Sequence, residues 1–152
     1  MTTPGAFTVG SVLTAGDMNE LGAWTTYTPT ISNVTTSIVA GRYYTFQDIG
    51  FLYVSFVISA APTGAVSFSP PSGFTPAAPN EFQTISANGV FYDTSTGNKY
   101  IASCRYPGPN FRPVWLDPIG TSYRWQDLTN TLYPVLPASG DSFTVTWIGW
   151  IS

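Results

Sequence analysis

The chain has 152 residues, enough for one domain with a sizeable hydrophobic core. Only 9% of the residues are charged, the formal net charge is −3 and there is no histidine. This composition excludes histidine-dependent catalysis and argues against nucleic-acid binding, since the chain has no basic cluster. Low charge, together with an aromatic content of 16%, favours burial of a large surface in an assembly. The single cysteine, Cys104, cannot form an internal disulfide and is expected to be a small buried hydrophobe.

Residues 1–23 differ from the rest and are predicted to be an N-terminal attachment arm, ahead of a single β-domain over residues 24–152. Thr14 is a candidate N-cap with Asp17 at the third helical position, which predicts a short helix. So short a helix is not stable alone, so it must dock, either on its own domain or on a neighbouring subunit. The apolar side chains available for docking are Phe7, Val9, Val12, Leu13, Met18 and Leu21.

Strand patterns begin at Trp24. Pro29 confines the first strand to a sheet edge or an extended arm, because proline cannot donate to a ladder. Residues 42–59 are the predicted centre of the fold. Two runs of β-branched and aromatic residues flank the polar break Gln47–Gly50, which predicts a β-hairpin with Gly50 available for positive φ.

The second run of this hairpin alternates with period two. One face is fully apolar and is predicted to be core; it carries Leu52, Val54, Phe56 and Ile58. The opposite face, which includes Phe51 and Tyr53, is also poor in charge, and a water-facing sheet rarely tolerates that. We therefore expect another subunit to cover this second face.

Further strands are predicted at 66–69, 84–93, 99–106, 112–116, 121–128 and 141–151, separated by Gly- and Pro-rich turns. This pattern predicts an all-β fold, a β-sandwich or jelly roll with a short N-terminal helical turn or arm. No run approaches the roughly 20 apolar residues of a membrane span, and the N-terminus lacks a signal-peptide pattern. We expect synthesis in the cytoplasm and no membrane insertion.

Catalytic chemistry has few candidates in this sequence. Asp93, Asp117 and Asp127 are the carboxylates of the second half that could converge as a glycosidase pair. Each lies beside turn residues, where aspartate commonly caps its own backbone, so a structural role is favoured. There is no phosphate-binding loop and no Asp-x-Asp-x-Asp calcium spacing. We expect no enzyme activity, no cofactor and no metal.

Aromatic side chains in loop-rich stretches are the better binding candidates. Tyr106, Trp115, Tyr123 and Trp125 could stack on sugar rings, and in a strand the last two would share one face. The alternative is that these rings pack in the core or between subunits.

Residues 7–21, FTVGSVLTAGDMNEL, contain the pattern G-x-x-L-T-A-x-x-M-N. This segment resembles one seen in small tail and surface proteins of tailed bacteriophages. Residues 24–30, 41–43, 66–74 and 140–145 resemble successive pieces of the β-domain that follows it, in the same order and spacing. Unlike a complete tail fibre, this sequence has no long shaft or repeat ahead of the β-domain.

The resemblance implies a trimeric structural module on the virion surface, with other virion proteins (major capsid or tail proteins) as partners. A capsid decoration or head-fibre role is slightly favoured, because a compact module suits clamping onto a lattice. The alternative is a receptor-binding tail tip, a minor tail protein that recognises bacterial surface glycans. A polysaccharide depolymerase is a third, less favoured class. In each case synthesis would take place in the host cytoplasm.

Overall fold

The computed structural model describes residues 23–77, 87–119, 122–130 and 135–152. In these ranges the chain is all-β, as predicted, and has no helix. The predicted helix at Thr14 lies outside the described residues. The strands are β1 (Thr25–Tyr27), β2 (Ile31–Ser32), β3 (Thr35–Phe46), β4 (Ile49–Ala60), β5 (Ser67–Phe68), β6 (Ala87–Tyr92), β7 (Lys99–Arg105), β8 (Arg112–Ile119), β9 (Ser122–Asp127) and β10 (Ser142–Trp150).

Eight of these strands form one antiparallel sheet in the order β1-β3-β4-β10-β6-β7-β8-β9. The last strand in chain order, β10, lies in the middle, because it pairs with β4 on one side and with β6 on the other. The short strand β1 pairs only with β3 and forms one edge, as Pro29 predicted. The strand β10 therefore joins two groups of strands, β1-β3-β4 on one side and β6-β7-β8-β9 on the other.

The predicted hairpin forms as β3–β4, but it lies to one side of the large sheet, whose middle is occupied by β10, and its turn also needs a correction. Gln47 and Asp48 make the turn, while Ile49 and Gly50 already belong to β4. Gln47 adopts positive φ (51°), and Gly50 does not. Gly50 is needed for space instead, since a Cβ there would lie 2.5 Å from the ring of Phe74.

One face of the large sheet, the inner face, carries the core. Leu52, Val54, Phe56 and Ile58 of β4 are at most 1% exposed, which confirms the predicted core face. The central strand β10 adds Phe143, Val145 and Trp147. Burial of these apolar side chains contributes to the stability of the fold.

A second layer covers the inner face. β2 and β5 form a two-stranded antiparallel sheet. Phe68 of β5 stacks on Phe111 with ring centroids 5.2 Å apart, and Phe111 contacts Trp147 edge-on. Phe74, from the segment after β5, also meets Trp147 edge-on. The chain is thus a sandwich of one large and one small layer, with an aromatic core between them.

Candidate interaction surface

The outer face of the large sheet, opposite to the core, remains largely apolar. Nine large hydrophobic side chains are exposed among the described residues, and only Leu136 lies elsewhere. The other eight lie on the outer face: Trp24, Ile38, Phe46, Val90, Ile101, Trp125, Ile148 and Trp150. Strand register places seven of them there. Trp24, just before β1, lines a depression on this face that is described below. Scattered exposed hydrophobics are ordinary, but concentration on one face marks a surface for interaction.

The densest part of this surface is an apolar patch at the hairpin end of the sheet, formed by Tyr44, Phe46, Phe51, Ile148 and Trp150. Tyr44 and Phe51 stack across β3 and β4 with centroids 5.4 Å apart and planes 29° apart. Ile148 pairs in register with Phe51 and is 47% exposed, while Trp150 is 65% exposed. The patch has the aromatic character of the centre of a protein interface.

A shallow open depression of about 420 Å³ lies next to the patch, lined by Trp24, Ala40, Arg42, Tyr53 and Thr146. Arg42, Tyr53 and Thr146 stand side by side on β3, β4 and β10. Arg42 is the only charged side chain on the outer face of these three strands. Within the described part of the chain no carboxylate pairs with Arg42. The depression thus combines aromatic walls with an unneutralised cation.

An ion-pair cluster lies on the far side of the outer face, whereas exposed Lys99 of β7 has no ion pair among the described residues. Asp127 of β9 accepts two hydrogen bonds from the Arg105 guanidinium, at Nε and Nη2, both 2.8 Å long. Arg112 lies 3.5 Å from the same carboxylate. Arg105 of β7 and Asp127 of β9 lie on either side of β8, so their ion pair crosses β8 next to Val114. The side chain of Val114 is 1% exposed. The sequence-based expectation that Asp127 caps a turn is wrong, because this residue forms a bidentate ion pair.

Asp93, in contrast, caps a turn as predicted. Its carboxylate accepts hydrogen bonds from the hydroxyls of Ser95 and Thr96, each 2.7 Å long, and from the backbone N–H of Ser95. These bonds favour the ionised form and lower the pKa of Asp93. Along β7, Asp93 and Asp127 are separated by five strand steps, roughly 17 Å, whereas a glycosidase pair needs about 5–9.5 Å.

Other sites of chemistry are equally sparse in the described ranges. The side chain of Asp117 lies outside the described residues. No group of three or more His, Cys, Asp or Glu side chains in these ranges could hold a metal ion. Cys104 is fully buried, as predicted, and burial raises the pKa of its thiol.

Of the four proposed sugar-stacking aromatics, the three whose side chains are described do not form one site. The prediction is wrong for Trp115, which is 2% exposed and packs edge-on against Phe91 in the core, with centroids 5.2 Å apart. Tyr106 is half-buried against Phe111, with centroids 4.9 Å apart, and burial raises the pKa of its phenol. Trp125 is 37% exposed on the outer face. The side chain of Tyr123 lies outside the described residues.

Comparison of the chain with protein-family models, with curated proteins and with solved structures finds no match. In the described ranges, no helix has the length and apolar character to cross a membrane.

Of the predicted attachment residues, Phe51 and Tyr53 are half-buried on the outer face, in the apolar patch and the depression respectively. Phe7, Val12, Leu13, Met18 and Leu21 lie outside the described residues. Sequence analysis missed the contribution of Ile148 and Trp150. Their signal was the continued alternation of β10, because both fall on the same face as Thr144 and Thr146.

Proposed function

We propose that the chain is a structural protein on the surface of a tailed-phage virion, in which three copies assemble through the outer face of the large sheet. The observation that carries this proposal is the concentration of eight exposed large hydrophobics on that one face. The resemblance of residues 7–21 to phage tail and surface proteins supplies the virion context.

The composition supports assembly as well. A free protein normally keeps its surface soluble with about 25% charged residues, whereas this chain has 9%. Burying Trp150 and Ile148 would each contribute roughly 1.5–3 kcal/mol before the cost of association is subtracted. Several such side chains suffice for a stable interface.

A decoration or head-fibre position is favoured, because the described residues form one compact β-domain suited to clamping onto a lattice. The N-terminal arm, residues 1–23, would be needed for attachment to the particle. The competing role is a tail tip that binds bacterial surface glycans. The half-exposed ring of Trp125, which lies beside the Arg105–Asp127 ion pair, favours that second role.

Sedimentation equilibrium of the full chain tests the assembly. We expect a trimer at micromolar concentration, and Trp150→Ser should weaken it by at least about tenfold in Kd because a largely exposed ring is lost from the interface. Leu136→Ser is the matched control, since Leu136 is 43% exposed but lies off the outer face. A monodisperse wild-type monomer would refute the proposed trimer.

Electron microscopy of phage particles with a gold-labelled antibody against the chain tests the location. Labels distributed over the head would support decoration, and labels at the tail tip would support the competing role. Purified particles that do not contain the chain would overturn both.

A further inference from the structure

We draw no further inference here: the strongest candidate, the apolar patch with the adjoining depression around Arg42 on the outer face of the large sheet, carries none because nothing among the described residues shows what covers that face.

Discussion

Asp141 connects two loops at one end of the sheet, and replacing it by alanine should destabilise the domain without affecting assembly. The Asp141 carboxylate is 1% exposed and accepts hydrogen bonds from the backbone N–H of Thr94 at 2.9 Å and of Ala138 at 2.8 Å. Asp141→Ala leaves both donors without this acceptor.

The loss of unfolding free energy depends on how exposed the two N–H donors are. A donor left unpaired costs about 1–3 kcal/mol, and the lower end applies here because Thr94 and Ala138 are exposed residues that water can reach. Two donors together give about 2–3 kcal/mol. For a chain of this size that corresponds to a fall in Tm of about 5–10 °C.

Urea unfolding followed by tryptophan fluorescence would measure the loss of stability, with Asp48→Ala as the control. Asp48 is an exposed turn residue, so its replacement should change the unfolding free energy by less than about 0.5 kcal/mol. Asp141 lies at the end of the sheet away from the apolar patch, so sedimentation should be unchanged. A loss below about 0.5 kcal/mol for Asp141→Ala would refute the proposed role of the two bonds.

Two further predictions follow from the described side chains. The pKa of Asp93 is lowered from its ordinary value of 3.8, so its contribution to stability is complete above that pH and is lost as the pH falls through the lower folded value. Acid titration of the unfolding free energy should therefore be flatter below pH 4 in Asp93→Asn than in the wild type, and identical profiles would contradict this. Trp115→Ala should cost about 3–5 kcal/mol, because Trp115 is a buried core ring, whereas Trp125→Ala should cost less than about 1 kcal/mol; equal losses in urea unfolding would contradict the assigned burial.

The sequence predicted the core face of β4 because period-two alternation decides orientation wherever one face is wholly apolar. The same rule could not place Trp115. Its neighbours Val114 and Leu116 are also apolar, so alternation did not show which side is core. Val114 lies on the outer face beneath the Arg105–Asp127 ion pair, so its neighbour Trp115 faces the core. That ion pair joins residues 22 positions apart in the sequence, and alternation within one strand does not reveal it.

The presence of Pro118 also led to an incorrect prediction of a turn. Residues 117–120 were predicted to separate two strands, yet β8 continues through Pro118 to Ile119. The pairing of β7 with β8 covers only Arg112 to Trp115, so at Pro118 the strand is paired on the β9 side alone. A strand with one free side tolerates the missing N–H.

The candidate site was predicted only in part. The sequence predicted a second, charge-poor face on β4 that includes Phe51 and Tyr53. In the structure this is the outer face, which carries the apolar patch. Arg42 could not be singled out, because its lack of a partner depends on which acids the fold brings near it. Trp24 could not be assigned to the depression either, since that requires the register of β1 on β3.

The central position of β10 has a consequence for how the chain reaches its native state. β10 is the last of the described strands to be synthesised, yet it pairs with both groups of strands in the large sheet. The hydrogen bond between Ser55 and Thr144, 89 residues apart, is one of the contacts that cannot form before it. Until then β4 and β6 each present an unpaired edge and an apolar face to solvent, and such a state is prone to aggregation. Contacts of such long sequence separation also make folding slow. Removing the nine residues of β10 would therefore separate two half-sheets rather than trim an edge.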